Sequence, residues 1–231
     1  VYDSGIVENI FYVVTQFING NSLAELSRQM GPISSPDALF LTKQVAAGLQ
    51  AAHDRGILHL DIKPSNIFIT EDEEVKLGDF GLGLPVENAE ELLGNRVILG
   101  SPLYMAPEHI SGGNLDPRTD IYSLGVTLFH LLTGIPPYES TSPAKVLEQH
   151  LAKPVPSVRS YNPNISDPVD QLLAMMIAKR QENRIPSATD LDRLIDDLIT
   201  EVDRGQAKSS SGDIPTEVED FVMNRIAQSP E

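Results

Sequence analysis

Residues 118–134, RTDIYSLGVTLFHLLTG, are apolar around nearly the whole circumference of a helix. Ile121, Leu124, Val126, Leu128, Phe129, Leu131 and Leu132 leave no broad face suited to water. Such a segment has to be wrapped by other elements, which makes it the central rod of a largely helical body. Gly134 and Pro136 stop it.

The rest of the chain supplies the wrapping. Residues 35–56 give the clearest amphipathic helix, with Leu39, Phe40, Val45, Ala46, Leu49, Ala52 and His53 on one stripe. Pro36 suits its first turn and Gly56 its end. SLAEL opens a short helix, with Ser22 as N-cap and Glu25 in the capping-box position. SPAKVLEQHL, PVDQLLAMMIAK and SATDLDRLIDDLI read as further helices, with Met175 and Met176 as core filler. Strands are few. VYDS and NIFYVVTQFI are extended, with GIVEN as the hairpin connection between them. NGN at 19–21 is turn chemistry. NIFIT and EVKLGDF are short strands around the acidic turn EDEE. Residues 81–107 form one long loop. From residue 205 the chain turns polar and serine-rich, with PTEVEDFVMNRIA as one further short helix.

Composition narrows the chemistry. There is no cysteine, hence no disulfide, thiolate metal site or cysteine nucleophile. His53, His59, His109, His130 and His150 are scattered, and none sits at zinc-ligand spacing. A net charge of −16 argues against nucleic acid and against anionic membranes. No apolar run approaches the roughly 18 residues of a membrane span, and no signal peptide is present. The expectation is a cytoplasmic segment. A chain that opens on Val1, with an apolar hairpin too small to stand alone, reads as part of something longer. Any membrane anchor would lie outside the segment.

Three motifs follow in one order: HLDIKPSN at 59–66, DFG at 79–81 and APE at 106–108. The first lies between a helix and a strand, the second after a strand, and the third closes the long loop. Any one of them arises by chance, but the ordered set does not. Together with LGDFGLG, GSPLYMAPEHI, DPRTDIYSLGVTLFHLLTGIPPY and QENRIPSA, they make residues 1–200 resemble a protein kinase. The chain is most similar to the bacterial, eukaryotic-like Ser/Thr protein kinases.

That resemblance implies an α+β, protein-kinase-like fold, with a mainly α-helical C-lobe and a residual β-hairpin of the N-lobe. Residues 1–18 would be N-lobe strands and hinge, 19–204 the C-lobe, and 205–231 a polar tail. It also implies transfer of the ATP γ-phosphate, with Mg²⁺, to Ser or Thr hydroxyls of protein substrates. Asp61 matches the base that accepts the substrate hydroxyl's proton, and Lys63 the lysine that reaches the γ-phosphate. Asn66 and Asp79 match the Mg²⁺ ligands. Ser101 matches the hydroxyl residue of the substrate-facing loop that contacts Asp61 and Lys63. The adenine would meet the backbone of Gln16, Phe17 and Ile18, with Thr15 behind it and Phe68 beneath. His59 and Phe80 resemble two members of a stacked apolar column. Asp120 would hold the backbone around His59, and Glu108 would pair with Arg184. Without the resemblance, an aspartate and an asparagine in a turn can simply cap it. Lys63 and Asp79 have no part in that reading.

Two departures from the family pattern stand out. Leu60 replaces the arginine that precedes the base and receives an activation-loop phosphate. Residues 82–100 contain no Ser, Thr or Tyr at all. Receptor and phosphate site are missing together, so activation independent of loop phosphorylation is expected. The glycine-rich phosphate clamp and the strand lysine are also absent from this sequence, because Lys76 lies on the strand feeding Asp79. Two functional classes follow. One is a Ser/Thr kinase whose isolated 231-residue piece is inactive; the other is a pseudokinase-like binding scaffold. The acidic composition would favour basic segments around a target hydroxyl.

Overall fold

The computed structural model describes residues 2–8, 10–80, 84–85 and 100–207. Residues 81–83 and 86–99, which include the glycine of DFG and most of the long loop, lie outside the described residues. So do Val1, Asn9 and the tail helix expected after residue 208.

The central rod is α4, which the structure starts at Pro117 and ends at Thr133. Asp116 caps its first turn by accepting from the Arg118 N–H, and a capping box with Thr119 closes the end. Thirteen of its 17 residues are buried, from Thr119 round to Leu132, so the expectation from circumferential apolarity holds. Gly134 takes a left-handed φ of 79° and ends the helix.

Two helices pack directly on the rod. Helix α2, Ser35–His53, packs on α4 and on the last helix, α7, Ala188–Ala207. Helix α6, Asp167–Met176, also packs on α4. Gly125 permits that approach, because a Cβ there would meet Ile177 Cγ2 and Met176 Cβ at 2.7 Å. The core joins Leu39, Val45 and Leu49 to Leu124, Leu128, Phe129, Leu172, Met176 and Leu191. Two assignments need correction. Phe40 and Met175 are 44% and 41% exposed, so each lies off the buried stripe of its helix. Met176 alone of the methionine pair fills the core.

The strands are short. β1, Asp3–Val7, and β2, Ile10–Val14, form an antiparallel hairpin. β1 runs on to Val7, so Gly5 to Val7, expected in the turn, belong to that strand. The expected turn at 19–21 is also revised, because Gly20 and Asn21 begin β3, Gly20–Ser22. Helix α1, Leu23–Met30, follows directly under the expected Ser22–Glu25 capping box. β3 pairs with β5, Ile67–Thr70, which pairs with β6, Val75–Leu77, giving the order β3-β5-β6. A two-residue ladder joins β4, Ile57–Leu58, to β7, Leu84–Pro85.

The loop end is pinned from below. Helix α3, Pro107–Ser111, carries Glu108, whose two oxygens accept from the two terminal nitrogens of Arg184 at 2.7 Å each. The guanidinium also donates to the carbonyls of Ala178, Lys179 and Arg118, and it lies 4.7 Å over the Tyr122 ring. Arg184 is 4% exposed, so the pair is buried and fully partnered, as the sequence led one to expect. Helix α5, Pro143–Ala152, adds His150, which accepts from the Tyr122 hydroxyl at 2.8 Å and faces the Leu103 carbonyl at 3.1 Å.

Candidate active site

The site is a connection, residues 59–66, held between α4 and the β5-β6 hairpin. Asp120, fully buried in the first turn of α4, accepts from the His59 and Leu60 N–H groups at 2.9 and 2.8 Å. The same carboxylate meets His53 Nε2 at 2.8 Å. This third partner was not foreseen: the sequence placed His53 on the apolar stripe of α2. His59 in turn fixes the other strand. Its Nε2 faces the Gly78 carbonyl at 3.0 Å, and its ring lies 4.4 Å from that of Phe80. One buried carboxylate and one imidazole thereby tie the loop to both neighbours.

The tie places four side chains together. Asp61 is 9% exposed, and its Oδ1 accepts from the Ser101 N–H at 3.0 Å. Its Oδ2 accepts from Lys63 Nζ at 2.6 Å and from Asn66 Nδ2 at 3.1 Å. Lys63 Nζ also donates to Ser101 Oγ at 2.7 Å. An ammonium has three donors, so one remains after these two bonds. Asn66 sits in a 3-10 turn, Pro64–Asn66, and its Nδ2 also donates to the Asp61 carbonyl at 2.9 Å. With both amide hydrogens directed at Asp61, the oxygen end of the Asn66 side chain is turned the other way.

Asp79 is exposed and carries a left-handed φ of 56°. Its predecessor Gly78 is locked by donating to the Asn66 carbonyl at 2.8 Å, so Asp79 follows from a fixed point beside Asn66. A Cβ at Gly78 would lie 2.8 Å from the Phe68 ring, so Phe68 closes over this strand end. Thr15, Gln16 and Phe17 are exposed, Phe17 at 85%, and Ile18 is half-buried. They form the uncapped segment between β2 and β3. Asn66 and Asp79 together offer an amide and a carboxylate oxygen, the hard donors that suit Mg²⁺. Mg²⁺ characteristically takes few protein ligands and keeps several waters, which fits a two-residue donor set.

Leu60 is the strained member of the loop, with a φ of 64° that a branched side chain rarely adopts. It is 5% exposed and packs with Leu58 and Leu115 in an apolar cluster separate from the main core. Gly100 takes a φ of 121°, a backbone conformation that other residues rarely adopt, where the returning loop passes the Leu60 carbonyl. Around this centre, burial lowers the pKa of His109 against the opposing pull of Glu108, Asp120 and Asp61. Burial also lowers that of His130, whose Nδ1 lies within hydrogen-bond distance of the Tyr104 hydroxyl, at 2.7 Å.

Comparison with known proteins returns relatives of one kind. A family model described as "Protein kinase domain" matches residues 1–193. The serine/threonine-protein kinase PknL of Mycobacterium tuberculosis is 36% identical over 202 residues, which is 86% of this chain and 50% of that protein. The serine/threonine-protein kinase PknH of the same species is 33% identical, over 90% of this chain and 33% of its own length. PrkC of Bacillus subtilis is 33% identical, over 83% of this chain and 30% of its length. The chain thus spans between a third and a half of the length of the Mycobacterium relatives and less of the Bacillus one.

Proposed function

This chain belongs to the protein kinase family, in its bacterial eukaryotic-like Ser/Thr branch, and from that premise we propose that its 59–66 loop is the phosphoryl-transfer centre of a Ser/Thr protein kinase. The observation that carries the proposal is the Asp61 cluster. One buried carboxylate is held by Lys63, Asn66 and the Ser101 N–H at 2.6 to 3.1 Å. A carboxylate so oriented is a base whose position is fixed before substrate arrives, and positioning is most of what this reaction asks of a protein.

In this reading Asp61 accepts the proton of the attacking Ser or Thr hydroxyl. Lys63 turns its remaining N–H toward the γ-phosphate, while its bonds to Asp61 and Ser101 keep the ammonium at the transfer point. Asn66 and Asp79 hold Mg²⁺, which when bound supplies the charge neutralisation the phosphates require. Thr15, Gln16, Phe17, Ile18 and Phe68 are the adenine-facing residues. Residues 1–18 are then N-lobe strands and hinge, 19–204 the C-lobe and 205–231 a tail, and neither the glycine-rich clamp nor the strand lysine occurs within these 231 residues. Protein Ser/Thr hydroxyls are the acceptors.

Control does not pass through loop phosphorylation. Supporting this are Leu60, buried against Leu58 and Leu115 where an arginine would bind phosphate, and the lack of hydroxyl residues from 82 to 100. If phosphosite mapping of the active protein showed a modification at Ser101 to be required, this part would fail.

The test of the main reading is transfer of labelled γ-phosphate to a Ser/Thr protein substrate by the full-length kinase. Asp61→Asn is expected to lower the rate about 10²- to 10⁴-fold, with the KM for ATP little changed. An unchanged rate would sink the assignment of Asp61. A full-length protein that neither transfers phosphate nor gains thermal stability with Mg²⁺-ATP would sink the enzyme reading.

A further inference from the structure

His150 is fully buried on α5, and both of its ring nitrogens find partners on other elements. Nδ1 lies 2.8 Å from the Tyr122 hydroxyl on α4, and Nε2 lies 3.1 Å from the Leu103 carbonyl. Burial keeps the ring neutral. A carbonyl only accepts, so Nε2 carries the hydrogen and Nδ1 the lone pair that takes the Tyr122 O–H. The two partners thereby fix one tautomer. The groups around the ring are themselves held. Tyr122 is fully buried, with the Arg184 guanidinium over its ring. The Tyr138 ring meets that of His150 edge-on at 4.9 Å. Lys179 Nζ donates to the Tyr138 hydroxyl at 2.8 Å and to the His150 carbonyl at 2.7 Å.

Leu103 belongs to the 3-10 turn Pro102–Tyr104, which follows Ser101 directly. Both α4 and α5 pack on this turn. Among the described residues, two hydrogen bonds tie the backbone of 101–105 to other segments. The Ser101 N–H donates to Asp61 Oδ1, and the Leu103 carbonyl accepts from His150. The Tyr104 N–H closes the turn on the Ser101 carbonyl at 2.9 Å, so both tethers act on one hydrogen-bonded unit. Tyr104 adds a tether through its side chain, at His130.

We propose that His150 is a positioning residue of the reaction: braced by Tyr122, it fixes the Leu103 carbonyl and so holds Ser101 against Asp61 and Lys63. The proposal rests on the phosphoryl-transfer reading of Asp61. Fully buried, His150 is out of reach of substrate and nucleotide. It acts through Ser101, whose N–H orients the carboxylate and whose Oγ accepts from Lys63. Losing the imidazole N–H would leave a carbonyl unpaired and the turn free to shift, and a misplacement of about 1 Å at a reacting group can cost about 10²-fold in rate.

Transfer kinetics and amide exchange of the full-length kinase test it together, with melting temperatures checking that each variant folds. His150→Met keeps the bulk but not the N–H, and it is expected to lower kcat about tenfold with the KM for ATP unchanged. His150→Gln offers an amide N–H to the same carbonyl and is expected to keep kcat within about twofold of the unsubstituted kinase. Tyr122→Phe releases the tautomer, is expected to lower kcat about threefold, and carries the test if His150→Met does not fold. Leu191→Ala opens a cavity on α7, which packs on α2 and α6, and is expected to lower the melting temperature but not kcat. In hydrogen–deuterium exchange the amides of 101–105 are expected to exchange about tenfold faster in His150→Met, with those of α2 unchanged. Unchanged exchange at 101–105, or a kcat loss as large in His150→Gln or Leu191→Ala as in His150→Met, overturns the proposal. An unchanged kcat in His150→Met beside an impaired Asp61→Asn refutes the positioning role and leaves Asp61 in place. Absence of any transfer by the unsubstituted kinase, with exchange faster in the variant, refutes the reading of Asp61 and with it any role in the reaction, leaving His150 as a lock on the turn alone.

Discussion

His150 sits where Tyr122, Tyr138, Lys179 and the Leu103 carbonyl converge, and burial above all holds its pKa down to about 4, with the Lys179 charge adding to the effect. The folded state therefore resists protonating it, while the unfolded chain takes up the proton near its ordinary value of about 6.5. Between those values the unfolded state binds more protons, so stability rises with pH there and is lost as pH falls from about 6.5 toward 4. The shift corresponds to about 3 kcal/mol, and burial lowers His109 and His130 in the same sense. Urea unfolding at pH 7 and pH 5 should show His150→Gln flattening part of this slope. A slope unchanged in the variant would remove His150 from the account. At this scale the sequence was most legible where chemistry is local. Asp61, Lys63 and Asn66 lie within six residues and could be read directly. Ser101 needed the family resemblance, because nothing local links it to Lys63. That Arg28 and His130 line one cavity was not legible, since only the packing of α1 and α4 brings them there.

The elements hold the site through a few buried polar joints. The Glu108–Arg184 pair couples α3, at the end of the loop, to the segment before α7. Glu108→Gln would leave the guanidinium buried with a neutral partner, and a loss of about 3–5 kcal/mol is expected. Chemical denaturation would measure it, and a loss under about 1 kcal/mol would mean that the carbonyls of Ala178, Lys179 and Arg118 suffice for Arg184. Long elements with strong periodicity, α2 and α4, were plain in the sequence. β3 was not. Asn-Gly-Asn is turn chemistry by composition, and a three-residue strand whose partner lies near residue 70 has no periodicity to detect. Its glycine serves close approach, since a Cβ at Gly20 would fall 2.0 Å from the Ile69 carbonyl oxygen. The hairpin turn was misplaced for a similar reason. Gly5 looks like a turn residue but pairs with Tyr12 inside the ladder.

At the scale of the molecule, one helix organises everything else, and its apolar circumference announced that from the start. Phe129, fully buried in α4 and edge-on to Tyr161 at 5.4 Å, is a sensitive probe of that organisation. Phe129→Ala is expected to cost about 3–5 kcal/mol, seen as a fall in melting temperature of about 10 °C. A fall of only a degree or two would show that the rod tolerates a cavity. The hairpin β1-β2 is the counterpart of this well-wrapped centre. Tyr2, Ile6, Val7, Ile10 and Phe17 are all more than half exposed, and both outer edges of the ribbon are unpaired among the described residues. This gives the chain a colloidal character of its own. Copies of the 231-residue chain repel one another through net charge and attract one another through the ribbon, and only the first force is weakened by salt. Added salt is therefore expected to raise light scattering from the 231-residue chain, and scattering that does not change with salt would count against the ribbon as a contact.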